Sequence, residues 1–170
     1  MTTMAASSID GGNFYKRSME DMRVVSEEER KHMERNMQSS KNLVGLILLT
    51  FGVVSGFVSF WYTLEFTWTP EFQATNLEIG PTHSNYHAFR EALLALAVNL
   101  LLIRAGVLGS AMKYEYWATT TFMAVFYYSG WWLAWPIWGY HAPYVSADIN
   151  HVIATIGGLS GLILLKPVRN

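Results

Sequence analysis

The side chains best able to do chemistry sit in two short stretches. His83, His87 and Glu91 are spaced i, i+4, i+8, and Asp148 and His151 are spaced i, i+3. On a helix, residues three or four apart are neighbours on one face. A helix beginning near Ser84 puts His87 and Glu91 on a shared face with Arg90 beside them. Where two such helices meet, His87, Glu91, Asp148 and His151 converge, and His83 and His141 stand close enough in the chain to support them. Imidazole with carboxylate suits zinc, copper or non-haem iron, so a divalent metal is one expectation. His87 and His151 on facing helices are alternatively axial ligands for a b-type haem. Arg90 suits an anionic head group or a haem propionate. A plainer reading stands beside these: Asp148 or Asn150 caps the following helix, Arg90 and Glu91 pair locally, and the polar cluster closes one end of the fold. With no cysteine in the chain, disulfides, Cys-ligated zinc, iron–sulfur clusters and thiolate nucleophiles are excluded.

The elements that must hold these residues follow from where the charges lie. Of 170 residues, 51% are hydrophobic and only 15% charged, and the formal net charge of −1 is not that of a nucleic-acid binder. Residues 1–41 hold 14 of the 25 charged side chains, whereas residues 42–62 hold none. A 21-residue helix is long enough for a hydrocarbon core about 30 Å thick. Comparable stretches follow at 88–111, 116–138 and 149–165. The first begins too far from Met1, and lacks a cleavage-like end, to be a signal peptide. The expected fold is all-α: an integral membrane four-helix bundle over 42–166, a cytoplasmic helical arm over 1–41, and a cytoplasmic tail at 167–170.

Lysine and arginine orient the spans. Lys16, Arg17, Arg23, Arg30, Lys31, Arg35 and Lys41 precede span one, Arg104 and Lys113 border the connection after span two, and Lys166 and Arg169 follow span four. The loops at 63–87 and 139–148 carry neither residue type, and Arg90 is the exception. Both termini are therefore expected on the cytoplasmic side or its equivalent, such as a mitochondrial matrix. Arg104 lies inside span two and is read as snorkelling to the interface. Within the arm, residues 1–25 are expected to have little fixed structure. Ser26-Glu27-Glu28-Glu29 reads as a capping box opening a helix near 27–38, and Glu27 is placed to pair with Lys31. Met33 and Met37 form a stripe that is either solvated or a docking face for a partner.

Gly52 and Gly56 in span one, and Gly157, Gly158 and Gly161 in span four, are small residues at helical spacing that let another helix approach closely. Spans one and four are thus expected to be neighbours, within one subunit or across an oligomer. Asn99, near the middle of span two, reads as an interhelical hydrogen-bond partner. No Asp, Glu, Lys or His occupies the middle third of a span, which argues against a proton relay or an ion pump. Span three is aromatic, with Trp117, Phe122, Phe126, Tyr127, Tyr128, Trp131, Trp132, Trp135 and Trp138. These residues form either an interfacial belt or an aromatic-walled pocket for a lipid, quinone or porphyrin, with Trp131 and Trp135 as ligand-binding candidates. Pro136 is expected to kink or end the span.

A sequence pattern overlies these features. Span one leads into Trp68-Thr69-Pro70-Glu71-Phe72 and a Leu77-Glu78-Ile79-Gly80 turn; His87-Ala88-Phe89-Arg90-Glu91 enters span two, and a short fourth span follows. Over residues 43–166 this resembles the small four-helix membrane proteins of the DoxX-like group. The resemblance implies a helical bundle and a membrane location. Some members of that group are linked to redox or quinone-associated complexes. It carries over no catalytic residue.

Three functions are compatible with this reading. The first is a non-catalytic accessory or assembly subunit of a membrane complex, with membrane lipids and other membrane subunits, or a second copy, as partners. The second is a redox or metal-binding protein with an outer-face site built on His87 and His151. The third is a binder of a lipid, quinone or other hydrophobic small molecule. An enzyme is the less expected class.

Overall fold

The computed structural model describes residues 11–66, 83–139, 142 and 144–168. The aromatic loop at 68–72, the turn at 77–80, His141 and the last two residues lie outside the described residues, as does the side chain of His83. The described chain is all-helical. Its elements are α1 (Gly11–Phe66), α2 (His83–Leu108) running into a 3-10 turn (Gly109–Ala111), α3 (Tyr114–Trp138) and α4 (Val145–Leu164).

The chain divides into two units, 1–40 and 41–170. In the first unit, helix begins at Gly11, which corrects the expectation of little structure over 11–25 and of a helix starting near residue 27. Good helix formers recur from Lys16-Arg17 and Met19-Glu20 onward, and α1 contains no proline to interrupt it. Ser26 is therefore no N-cap: it lies within the helix, and its Oγ donates to the Arg23 carbonyl at 2.8 Å. Lys31 pairs with Glu27 at 3.5 Å and Arg30 with Glu34 at 3.7 Å, both at the i, i+4 interval. Every side chain described over 23–40 is exposed, Met33 and Met37 included.

In the second unit, α1, α2 and α4 each carry a stretch long and apolar enough to cross a membrane. Helix α3, at 25 residues, is also long enough at 1.5 Å per residue, but its Tyr, Trp and Thr residues lower its hydropathy and it is not among those three. It runs two residues past Pro136 and ends at Trp138, where Gly139 takes a left-handed conformation (φ 71°) and its N–H donates to the Trp135 carbonyl at 2.8 Å. Gly109 supplies the other positive φ, 48°, where α2 gives way to the connection to α3.

The helices pack through small residues. Gly52 of α1 meets the backbone of Gly157 and Gly158 of α4, and Gly161 of α4 meets the backbone of Leu49. A Cβ at Gly161 would lie 2.7 Å from the Leu49 nitrogen, so no side chain fits between these helices. Gly56 of α1 lies against the Asn99 side chain of α2, and Leu49 and Leu46 approach Gly106. Asn99 is 1% exposed, and its Nδ2 donates to the Ala95 carbonyl at 2.9 Å, a hydrogen bond within α2 rather than between helices. Leu49, Leu102, Ala105, Ala124, Ala154 and Leu162 fill the core between them. At the end of α4, the Trp117 indole N–H donates to the Leu162 carbonyl at 2.7 Å, satisfying a group that a helix C-terminus otherwise leaves unpaired. The outside of this unit is apolar: Phe51 is 61%, Phe126 64% and Ile163 63% exposed. Soluble monomers rarely expose apolar surface so extensively. Arg104 is exposed among these residues, with its guanidinium 5.1 Å from the centre of the Tyr116 ring.

Candidate ligand cavity

One end of the second unit opens into a cavity of about 420 Å³. All four helices contribute to it, each through residues three or four apart. Helix α1 supplies Ser59, Tyr62 and Thr63, and α2 supplies Ala88 and Glu91. Helix α3 adds Tyr127, Gly130, Trp131 and Ala134, and α4 adds Ala147 and His151. The lining joins the C-terminal part of α1 and α3 to the N-terminal part of α2 and α4, as alternating helix directions require. Alanines and Gly130 leave the space that Leu or Phe would fill, and the polar and aromatic groups stand around it.

The polar lining differs in how far it is already engaged. The Thr63 hydroxyl turns back to donate to the Ser59 carbonyl at 3.0 Å. Ser59 itself is 4% exposed, and its Oγ has no hydrogen-bond partner among the described residues. A buried hydroxyl without a partner costs about 1–3 kcal/mol. The His151 ring stacks on Trp131 with centroids 4.8 Å apart and planes inclined by 26°. One turn on, Thr155 Oγ1 donates to the His151 carbonyl at 2.7 Å and accepts from the Trp132 indole N–H at 3.0 Å, which fixes α3 against α4 next to the cavity.

The expected constellation is only partly gathered. Glu91 and His151 line the same cavity, and so does Trp131. His87 does not: the α2 face turned inward runs through Ala88 and Glu91, and His87 falls on the other flank of Glu91, exposed and edge-on to Tyr86 at 5.3 Å. Arg90 is exposed and lies 5.9 Å over the Tyr86 ring. Asp148 is spent on structure, its Oδ1 accepting the Ala142 N–H at 3.1 Å. It does not cap α4, whose N-cap is Tyr144, and Asn150 instead donates to the Ser146 carbonyl within the helix. Trp135 is exposed and outside the lining. Among the described residues no group of three or more His, Asp or Glu is arranged to hold a metal ion. His87 and His151 therefore do not face one another across a common site, as paired haem ligands must.

No family model matches the chain, and neither a characterised protein nor a solved structure matches it. What the site can do is read from its own groups. Tyr127 stands among the span-three aromatics expected either in a belt or in a pocket wall, whereas Ser59 and Tyr62 were not singled out by the sequence as site residues. Their signal is Ser59, Tyr62 and Thr63 at i, i+3, i+4, a polar stripe at the end of an otherwise apolar helix. Hydroxyls, aromatic faces, one carboxylate and one imidazole around an open space are the kinds of group with which pockets hold small molecules that have both apolar and polar parts.

Proposed function

We propose that this chain is an integral membrane protein whose four helices form a bundle, and that it binds a small amphipathic molecule in the cavity without transforming it. The lysine and arginine distribution puts both termini on the cytoplasmic or matrix-equivalent side and the cavity at the opposite face. Helix α3 is then the fourth crossing, its aromatic residues divided between the lipid interface and the cavity wall. The carrying observation is the cavity itself, which all four helices line with aromatic, hydroxyl, carboxylate and imidazole side chains. The reading belongs with the third expectation from the sequence. A single imidazole and a single carboxylate in the lining fall short of a metal or haem ligand set.

Native mass spectrometry of the detergent-purified protein tests it, with Gly130→Phe as the occluding variant. Gly130 borders the cavity, and a Cβ there meets nothing within 4 Å, so a phenyl ring is accommodated at the cavity wall without displacing the backbone. The wild type should release a small molecule that Gly130→Phe lacks. A wild type with no retained molecule, or a variant that retains the same one, overturns the reading.

A role as an accessory subunit is the second reading, favoured by the arm. A helix whose described side chains are all exposed over 23–40 buries no apolar face of its own there. Most helical stability in proteins comes from tertiary packing, which a partner subunit would supply. Co-purification of a stoichiometric partner, lost on removal of residues 1–40, supports this role; purification of the full chain alone counts against it.

A further inference from the structure

We propose that the molecule held in the cavity carries an ammonium group: the site recognises an organic cation. This rests on the cavity reading and specifies the ligand class. Glu91 is the charged residue in the lining, and no Lys or Arg among the described residues lines the space. Arg90, its neighbour in sequence, is exposed and lies over the Tyr86 ring. The ion pairs Glu27–Lys31 and Glu34–Arg30 lie on the arm, and Glu91 takes part in neither. Glu91 is itself exposed, so its carboxylate stands open to a cationic ligand at the cavity without being a buried charge that requires one.

The aromatic lining points the same way. Tyr62, Tyr127 and Trp131 border the cavity, and the faces of Trp and Tyr attract ammonium groups within about 6 Å of the ring centre. His151 occupies one face of Trp131, so the indole adds its other face or its edge. An aromatic enclosure with one carboxylate is the recurring solution for quaternary and primary ammonium ligands. An anion would meet Glu91 with like charge. A neutral carbonyl compound would use the hydroxyls and draw nothing from the Glu91 charge. The recognised group is the ammonium, whether a free amine or a phospholipid head group carries it.

Isothermal titration calorimetry of the full chain in maltoside detergent at pH 8 tests this, using choline and its uncharged isostere 3,3-dimethylbutan-1-ol, each up to 10 mM. Dihexanoylphosphatidylcholine forms a third arm. Choline should bind at least tenfold more tightly than the isostere, Glu91→Gln should reduce that preference below threefold, and Gly130→Phe should abolish binding of both. Binding of the phosphatidylcholine with the same dependence on Glu91, and none of choline, supports the ammonium assignment and identifies a lipid head group as its source. Equal binding of choline and the isostere, both lost in Gly130→Phe, overturns the cation assignment and leaves the cavity reading intact. No binding of either ammonium compound also overturns it, and the retained-molecule measurement then judges the cavity on its own. Unchanged choline binding in Gly130→Phe overturns both. Glu91→Gln is compared at matched helical content and unfolding temperature, so loss of preference is not loss of fold.

Discussion

Gly157→Ala and Gly130→Ala make the same chemical change in the middle of two helices of the second unit, yet should have different consequences. A Cβ at Gly157 would lie 2.6 Å from the Gly52 nitrogen and 2.7 Å from the Leu48 carbonyl oxygen. Comfortable contacts to carbon begin at about 3.5 Å. Helices α1 and α4 would therefore have to part by nearly 1 Å (about the shortfall from that contact distance) along a seam that has backbone on both sides. Parting also weakens any Cα–H contact from Gly157 to the Leu48 carbonyl. A Cβ at Gly130 meets nothing within 4 Å. Both substitutions gain about 1 kcal/mol of helix propensity, which cancels when the variants are compared with each other. The remainder is the overpacking term, about 1–3 kcal/mol. For a chain of this size 1 kcal/mol moves the midpoint by about 2–4 °C, so Gly157→Ala should unfold several degrees below Gly130→Ala. Thermal unfolding followed by far-ultraviolet circular dichroism in one detergent reads the difference. A Gly157→Ala protein that unfolds at or above the midpoint of Gly130→Ala refutes the idea that backbone contact at this crossing holds α1 to α4.

Three further outcomes follow from individual contacts. Trp117→Phe removes the indole donor to the Leu162 carbonyl and should cost about 0.5–1.5 kcal/mol, measured as the same midpoint shift. Thr120 is 1% exposed and its Oγ1 is unpartnered among the described residues; Thr120→Val keeps the shape and should stabilise by about 1 kcal/mol, so a destabilised variant would reveal a hidden partner. Glu27→Gln breaks an exposed pair with Lys31 and should change helix content by an amount worth no more than about 0.5 kcal/mol, vanishing in high salt.

The helices of the second unit were legible because their signals are long. Long apolar runs with few charges, closed by Gly109 or Gly139, leave few other ways to satisfy the backbone, so the boundaries of α2 and α3 lie within a few residues of those expected. Helix α4 starts four residues before the expected boundary because Tyr144, which has no side-chain capping bond, takes the N-cap position. The arm departs from the sequence expectation for a physical reason. Ser26 followed by three glutamates has the composition of a helix start, yet a serine hydroxyl is equally satisfied by a carbonyl three residues back, and α1 runs through. At the site, chemistry-bearing types drew attention to Glu91 and His151, which line the cavity. His87 drew it equally, because i, i+4 spacing does not say which flank of the pair faces inward. Ser59 and Tyr62 were passed over because a hydroxyl near the end of an apolar helix looks the same whether it faces an interface or a cavity.

The cavity and the glycine seam are two consequences of one crossing. Gly45, Gly52, Gly157 and Gly161 bring α1 and α4 into backbone contact, and helices that touch at a point diverge away from it. The seam has no further glycine on α1 beyond Gly56, and three residues later Ser59 borders the cavity. On α4, His151 lies six residues before Gly157, where Trp131 of α3 stacks against it instead of α1. Closeness at the seam and space at the end are therefore set by different residues, and perturbations of the two should add. Gly130→Phe should empty the cavity with the unfolding midpoint of the wild type, and combining it with Gly157→Ala should reproduce the loss caused by Gly157→Ala alone. A combined loss larger by more than about 0.5 kcal/mol would mean that the cavity end bears part of the load that holds the helices together.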